Sequence, residues 1–232
     1  IANLPEEVIA VLFAQYSRSP FDLRTNLRKL LADEGETIGS CSSPTFAMAK
    51  EKARAFHEKW VVGYGHASVA EHATIHLGAE GVSILAAKAI EDSRLASFTE
   101  KSTRYVAFTR GSYVTPPELV GDSREGTYRT SCEQLFDAYL TLLPQVTEDI
   151  ANEAAGRVSD TAIKARALDT LRGLLPASTM TNVGITANAR TVANLVTKLR
   201  SSPLGEMRET GEALRVEGET VCPTLRRHAE PS

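Results

Sequence analysis

The chain is poor in cysteine and tryptophan, and it carries no large excess of charge of either sign. Its 232 residues contain three cysteines and one tryptophan, and the formal net charge is −3. Cys41, Cys132 and Cys222 lie far apart without the paired spacing of a zinc site, so reduced thiols are expected rather than a disulfide framework. A slightly negative charge gives no general attraction to nucleic acid polymers or membrane surfaces. Any anion must therefore be bound locally, by individual arginines.

Long apolar runs are also missing. No segment approaches the ~20 apolar residues that a transmembrane helix requires, and residues 1–7 carry acidic charge where a signal peptide carries basic charge. We therefore expect a cytoplasmic protein with no membrane partner. The chain is 42% hydrophobic and no segment has the composition of a linker, so residues 1–232 are expected to form a single domain with a sizeable core.

Apolar periodicity alternates along the chain between helical and extended segments. Helices are predicted at 5–16, 25–32, 44–62, 81–90, 125–143, 159–175, 189–200 and 202–221, and strands at 73–77 and 179–186. Pro144 is expected to break or kink the helix that begins at residue 125, because proline lacks the N–H that a helix interior needs. The buried side of that helix is expected to carry Leu135, Tyr139 and Leu142. The segment from Arg94 to Tyr105 is interpreted as a loop.

The first concentration of polar groups lies between Gly65 and His72. It supplies two imidazoles, a hydroxyl and a carboxylate, from His66, Ser68, Glu71 and His72. Such a cluster can hold a polar ligand or cap a helix end. A zinc hydrolase site is a further alternative, because His72 and His76 share a face in a strand or a helix. The metalloprotease pattern, however, requires Glu directly after the first His, and Ala73 stands there.

The second concentration runs from Arg94 to Arg104. Its arginines offer planar charged donors, and its serines and threonines offer hydroxyls and nearby backbone amides. Together these groups suit a phosphate. A solvated, charged loop is the alternative interpretation.

The third concentration surrounds a predicted strand-to-helix junction. Asn188 and Arg190 lie at the junction, and Asn194 and Arg200 follow on the helix. Asn188 can cap the helix, and amides and guanidinium groups near a helix N-terminus can also bind anions. Arg172, on the preceding helix, completes a set of arginines that an anionic ligand would require.

The order of these segments resembles the flavin-dependent thymidylate synthase family. The resemblance covers most of the chain, and several short motifs in the same order and spacing make it specific. The matching segments are 16–19, 65–72, 80–83, 94–105, 175–176 and 188–190.

The resemblance implies an α+β fold, with a central, mostly antiparallel sheet flanked by helices, in a homotetramer whose active sites form at subunit interfaces. It also implies C5-methylation of a uracil nucleotide, UMP or dUMP. FAD would be the cofactor, methylenetetrahydrofolate the carbon donor and NADPH the reductant. A route without a cysteine adduct must polarise the uracil ring with donors placed where negative charge develops on O2, N3 and O4.

The resemblance also assigns residues, position by position. The nucleotide-binding residues that it implies are Glu100, Lys101, Ser102, Arg104, Arg172 and Arg200. Among them, Ser102 and Arg200 are the catalytic candidates, and Arg200 resembles the arginine that faces the pyrimidine. The flavin contacts that it implies are His66, Ser68, Glu71, Arg94, Leu95, Asn188, Arg190 and Asn194, with a further contact from Ser17 or Ser19. No metal is implied.

The chain departs from the family where the signature begins. The family opens with Arg, His, Arg, whereas this chain has Asp92, Ser93 and Arg94. Loss of the ring at position 93 is expected to cost roughly 1 kcal/mol of cofactor binding. Asp92 would repel an anionic ligand unless it turns away or accepts a hydrogen bond from a new donor, such as a ribose hydroxyl.

Two interpretations of the altered signature therefore stay open. The chain is expected to be a methylase with changed substrate choice, for example a UMP methylase of a nucleoside-antibiotic pathway, or a dUMP methylase that tolerates the change. The alternative outside catalysis is a subunit of the same fold that binds flavin or nucleotide for structural reasons.

Overall fold

The helices and strands follow the predicted alternation in a computed structural model that describes residues 6–17, 19–31 and 67–222. The helices are α1 (Glu6–Tyr16), α2 (Leu23–Leu31), α3 (Ile84–Glu91), α4 (Glu125–Ala154), α5 (Asp160–Leu171), α6 (Ala189–Arg200) and α7 (Gly205–Val221). The strands are β1 (Thr74–Ser83), β2 (Ala96–Glu100) and β3 (Met180–Asn188). Short 3-10 turns occur at Ala67–His72, Pro117–Leu119 and Arg172–Leu174.

The three strands found in the described ranges form an antiparallel sheet in the order β1, β3, β2, so the last strand in sequence lies in the middle. Along β3, Val183 and Ile185 are buried, while Asn182 and Gly184, which alternate with them, are exposed. This alternation shows that only one face of the sheet packs against the core. That core is completed by apolar side chains of α1, α3, α6 and α7. The expectation of an antiparallel sheet combined with helices is therefore confirmed.

Side-chain caps determine where two helices next to the site begin. Asn188 Oδ1 accepts a hydrogen bond from Thr191 N at 2.8 Å, which opens α6 where the sequence predicted it. Ser83 Oγ accepts from Ala86 N at 3.0 Å and opens α3. The predicted start of α3 at residue 81 is wrong, because β1 continues through an irregularity near Gly81, whose φ of +65° favours glycine.

Helix α4 passes through Pro144 and ends at Ala154, so the predicted end at residue 143 is wrong. A proline inside a helix costs about 3 kcal/mol. Tyr139 before the proline and Ile150 after it are both buried against α5. Burial of a large apolar side chain stabilises by about 1.5–3 kcal/mol, so packing on both sides of the proline outweighs its cost.

The buried side of α4 is also rotated from the predicted one. Tyr139 is buried as expected, but Leu135 and Leu142 are exposed, and Cys132 and Phe136 take the inward positions. One residue corresponds to about 100° of helix rotation, and because Tyr139 belongs to both faces, the observed face is turned by less than that amount. The larger aromatic ring occupies the core.

The segment interpreted as a loop contains strand β2, which pairs with β3. In this strand, Ala96 and Phe98 are partly buried and Ser97 and Thr99 are exposed, so backbone pairing combines with one-sided packing. The helix predicted at 44–62 lies outside the described residues. Helix α5 ends at Leu171 in a 3-10 turn. In the part of the chain that the structure describes, no helix is both long enough and apolar enough to cross a membrane.

Candidate functional site

Strand β2 connects two groups of predicted site residues. Its first residue lies opposite Ala187, next to the predicted flavin contact Asn188, and its last lies opposite Val183. At about 3.4 Å per residue, these two ends are about 14 Å apart. The flavin candidates Arg94 and Leu95 lie just before Ala96, which we call the first end of β2. The nucleotide candidates begin at Glu100, the second end of β2, and continue after it.

At the second end of β2, Arg104 and Arg172 converge on the carboxylate of Asp169. Asp169 Oδ1 lies 3.4 Å from Arg104 Nε and 3.1 Å from Arg172 Nε. This oxygen is buried from solvent, and neither contact has the geometry of a hydrogen bond. Arg172 Nη1 also donates to Thr103 Oγ1 at 3.4 Å. Two arginines that are distant in sequence therefore meet, and we call Arg104 and Arg172 the arginine pair.

The arginine pair brings like charges close together. Because both Nε atoms contact one oxygen, their separation is at most the sum of the two distances, 6.5 Å. Two unit charges at that distance repel by about 0.6 kcal/mol in bulk water and by about 2.6 kcal/mol at an effective dielectric constant near 20. Both side chains are about half exposed, at 54% and 49%, so the lower figure is closer. The carboxylate of Asp169 offsets this repulsion.

Hydroxyl groups lie beside the arginine pair. Ser102 Oγ accepts a hydrogen bond from Arg104 N at 3.2 Å, and the Ser102 carbonyl accepts from Val106 N at 3.1 Å, so the chain turns tightly here. The turn is joined to the sheet because Lys101 N donates to the Asn182 carbonyl at 2.9 Å. Planar cationic donors together with the Ser102 and Thr103 hydroxyls are a suitable set for a phosphate.

Lys101 and Glu100, the other nucleotide candidates, have different surroundings. Lys101 Nζ lies 5.3 Å from the ring centroid of Phe108, within the range of a cation–π contact. Glu100 ends β2, and its negative charge acts on Glu91. Burial, followed by this charge, raises the pKa of Glu91 above its usual value.

At the first end of β2, predicted flavin contacts meet at the start of α6. Arg190 Nη1 lies 2.5 Å from Glu71 Oε1, and Asn188 caps the helix. Arg190 and Asn194, one turn apart, are exposed, and Leu95 is 73% exposed. This end therefore presents a guanidinium, an amide and an apolar side chain to solvent. His66 and the side chain of Ser68 lie outside the described residues.

Asp92 turns toward α6. Its Oδ2 lies 2.7 Å from Lys198 Nζ, and this ion pair lowers the pKa of Asp92. Lys198 Nζ also donates to the Ala89 carbonyl at 3.3 Å. Asp92 therefore has a cation of its own chain as its partner and accepts a hydrogen bond from it.

Arg200 is the last residue of α6, and it too has a carboxylate partner. Its Nε lies 3.1 Å from Glu212 Oε2 on α7. Glu212 also bonds Arg215, which lowers the pKa of Glu212. The arginine pair, Arg190 and Arg200 are thus all neutralised in part by acidic side chains, so their guanidinium groups are oriented before any ligand binds.

His72 and His76, the two histidines of the alternative zinc site, contact a ring and a hydroxyl, respectively. His76 Nδ1 lies 2.9 Å from Thr186 Oγ1, and the His72 ring packs against Phe13 with centroids 4.9 Å apart. Over residues 67–222 and the described part of the N-terminal region, no three His, Cys, Asp or Glu side chains converge on one point.

A cavity of about 350 Å³ lies between β1 and α7. Its lining includes Leu77, Glu80, Val82, Glu206 and Leu214 and contains no predicted site residue. The cavity is therefore separate from the candidate site at the ends of β2.

Sequence reasoning predicted Glu71 as a site residue but missed two other acidic partners of the site arginines, Asp169 and Glu212. Asp169 precedes Arg172 by three residues, and this spacing is a recognised signal for an ion pair along a helix. The pairing of Asp92 with Lys198 joins residues 106 positions apart, and no local pattern indicates it.

Comparison with known proteins agrees with the sequence resemblance. The family model described as thymidylate synthase complementing protein matches residues 5–224. A protein of Chlamydia pneumoniae named UPF0159 is 38% identical over 246 residues, covering 100% of this chain and 46% of that protein. The flavin-dependent thymidylate synthase of Clostridium tetani is 26% identical over 187 residues, covering 80% of this chain and 74% of that one.

The chain spans about half the length of the first curated relatives that it matches, at 46% of each. A solved structure has a similar fold: the flavin-dependent thymidylate synthase of Helicobacter pylori, complexed with FAD and dUMP. It superposes with a TM-score of 0.58 at 18% identity, covering 97% of this chain and 93% of that one. Because the family model spans nearly the whole sequence, the chain belongs to the thymidylate synthase complementing protein family.

Proposed function

We propose that this chain methylates C5 of a uracil nucleotide, UMP or dUMP, in a flavin-dependent reaction. Methylenetetrahydrofolate is the carbon donor and NADPH the reductant in this proposal. The observation that carries it is the arginine pair, held by Asp169 beside the Ser102 and Thr103 hydroxyls. The family membership and the dUMP in the Helicobacter pylori structure support a uracil nucleotide as the substrate.

The arginine pair would bind the nucleotide phosphate. Together with Asp169 it has a net charge of +1, which attracts a phosphomonoester. Within the described ranges, the terminal nitrogens of Arg104 make no hydrogen bond, so they are available as donors. Bidentate guanidinium contacts are the strong, oriented kind that fix a phosphate in place. A phosphate that is fixed in this way also limits where the uracil base of the same nucleotide can lie.

Polarisation of the uracil ring is assigned to Arg200 and Ser102. The ion pair with Glu212 orients the Arg200 guanidinium, which in this proposal faces a ring carbonyl. A cysteine adduct is not part of the proposal: Cys132 and Cys222 are buried, and Cys41 lies outside the described residues. A reaction without a thiol nucleophile depends on such donors to stabilise negative charge on the ring.

The residues at the first end of β2 fit a flavin dinucleotide. Arg190 and Asn194 offer cationic and amide donors on the exposed face of α6, and Leu95 offers apolar contact. When bound, FAD would supply the hydride chemistry that moves the one-carbon unit toward the methyl level. Arg190, Asn188, Asn194, Glu71 and Leu95 would hold and orient it, together with Arg94, His66 and Ser68.

Asp92 bears on the choice between UMP and dUMP. Because Asp92 already pairs with Lys198, a ribose 2′-hydroxyl must compete with a cation for this carboxylate. This pairing weakens the argument for UMP that the sequence supplied. Both nucleotides therefore belong in the test.

The proposal includes a homotetramer with sites shared between subunits, in the cytoplasm. Leu95 and Tyr105, which flank β2 on either side, are 73% and 64% exposed. In this proposal a neighbouring subunit covers both side chains. Light scattering after gel filtration tests this part: a monomer at micromolar concentration contradicts it.

A non-catalytic subunit that binds flavin or nucleotide is the second candidate. Asp92 and Ser93, in place of the family's Arg and His, favour it, since both changes remove ligand contacts that the family signature offers. Uptake of FAD without turnover is the result that this candidate predicts.

Release of tritium from C5-labelled UMP and dUMP, with FAD, NADPH and methylenetetrahydrofolate present, tests the proposed reaction. Arg104→Ala is expected to lower kcat/KM by about 10- to 100-fold, because it removes a charged phosphate contact. Arg110→Ala is the matched control, since Arg110 pairs with Asp137 and Glu133 on α4, neither of which is a predicted site residue. Flavin binding without release from either nucleotide favours the non-catalytic subunit. Equal effects of the two variants contradict the assigned phosphate site.

A further inference from the structure

We infer that Asp169 is a positioning residue that keeps Arg104 and Arg172 converged for the phosphate of a nucleotide. The inference rests on the proposed function and adds to it a residue that the family resemblance did not assign. Asp169 acts through the two arginines and has no assigned contact with the substrate itself.

The geometry gives Asp169 two cationic neighbours on one atom. Its Oδ1 is buried from solvent and lies within 3.4 Å of both Nε atoms, although neither contact is a hydrogen bond. A buried carboxylate oxygen without a hydrogen bond is costly unless charge compensates it. Here compensation comes from Arg104 and Arg172 together, so the oxygen and the two guanidinium groups require one another.

Without this carboxylate, the arginines would separate. They are about half exposed, carry like charge at no more than 6.5 Å, and have long side chains that can turn into water. Thr103 Oγ1 holds only Arg172, at 3.4 Å from Nη1. A ligand would then have to order two flexible side chains on binding, and that ordering weakens affinity.

The charge of Asp169 could instead repel the phosphate, so the two effects must be compared. Each arginine has five N–H donors, and Asp169 lies against the Nε of each. A phosphate on the terminal nitrogens is separated from Asp169 by the width of a guanidinium in half-exposed surroundings, where water and salt screen the repulsion. The repulsion between the arginines acts over the shorter distance, so positioning is expected to dominate.

The test is Asp169→Asn, which keeps the shape and the acceptor oxygen but removes the charge. We expect its equilibrium Kd for dUMP and UMP to rise about three- to tenfold at low salt. We also expect KM for the nucleotide to rise with kcat unchanged, because the interaction is the same in the ground and transition states. FAD affinity and Tm should stay within error, and Asp169→Glu should recover most of the affinity.

Asp137→Asn is the matched control, because it removes a carboxylate that also pairs with an exposed arginine but lies outside the site. Equal changes in Kd for the two variants would mean general electrostatics and would overturn the inference. Unchanged or tighter nucleotide binding by Asp169→Asn also overturns it, leaving the proposed function intact. If the unmodified protein binds neither nucleotide at millimolar concentration, the proposed function itself fails and the inference fails with it.

Discussion

Replacing Gly211 by alanine tests how closely α6 and α7 must pack to place Arg200. Gly211 is buried on α7. A Cβ at this position would lie 2.8 Å from Leu199 Cβ, 3.1 Å from Arg200 Cγ and 3.1 Å from the Arg200 backbone nitrogen. The side chain of Arg200 can rotate away, but Leu199 Cβ and the backbone nitrogen cannot. The two helices must therefore move apart.

The required movement is large for a packed core. Carbon atoms are optimally separated by about 3.5–4.0 Å, so the contact with Leu199 Cβ demands a shift of about 0.7 Å or more. Overpacking of this kind costs about 1–3 kcal/mol. Alanine also has a higher helix propensity than glycine, by up to about 1 kcal/mol, which offsets part of that cost.

Gly126→Ala isolates the steric effect. Gly126 is an exposed residue in the first turn of α4, and nothing lies within 4 Å of its ideal Cβ. At this position alanine is expected to contribute only its higher helix propensity, without a steric clash. The free energy of unfolding of Gly211→Ala should therefore lie about 1–3 kcal/mol below that of Gly126→Ala.

Urea unfolding followed by circular dichroism, at equal protein concentration and without ligands, measures that difference. Gly211→Ala should also bind nucleotide more weakly, because the displaced Arg200 loses its alignment with Glu212. Equal stabilisation by the two alanines would refute the tight packing of α6 on α7. A stability loss with unchanged nucleotide binding would refute the link to Arg200.

Two further predictions concern the charges near the signature. The folded-state pKa of Glu91 is raised by burial and by Glu100, so the folded state binds more protons at this group and the contribution of Glu91 to stability should fall as pH rises from 4.5 through that pKa. Unfolding measured from pH 4 to 7 should show that Glu91→Gln gains stability relative to the unmodified chain as pH rises, and a constant difference would contradict the assignment. Ser93→His should tighten FAD binding by restoring a ring, whereas Asp92→Arg should not, because it sets a second cation beside Lys198. Fluorescence titration with FAD measures both, and tighter binding by Asp92→Arg alone would contradict this account.

The parts of the fold that the sequence predicted are those set by local chemistry. Asn188 caps α6 with its own side chain, and the helix occupies the predicted residues 189–200. The one-sided burial of β3 follows from its alternating side chains. By contrast, Pro144 is a local signal for a helix end that distant contacts override, since burial of Tyr139 and Ile150 against α5 carries α4 through it.

In the candidate site too, local sequence predicts some features and distant contacts decide others. The signature predicted that the segment around Ser102 and Arg104 belongs to the site, and the spacing of Asp169 and Arg172 was available as a local signal. Strand β2 is only five residues long, and its pairing with β3 joins segments more than 80 residues apart. Such non-local pairing is decided by the tertiary fold, which propensity does not encode.

The altered signature and the paired arginines together indicate how this site discriminates between ligands. An arginine at position 92 would add positive charge, whereas Asp92 cancels the charge of Lys198. Four of the predicted site arginines are held near a carboxylate: the arginine pair near Asp169, Arg190 near Glu71 and Arg200 near Glu212. These carboxylates reduce the long-range field over the site, and screening by salt reduces it further. Recognition of an anionic ligand must then depend on oriented, short-range hydrogen bonds, so the carboxylates that orient the guanidinium groups are as much a part of the site as the arginines themselves.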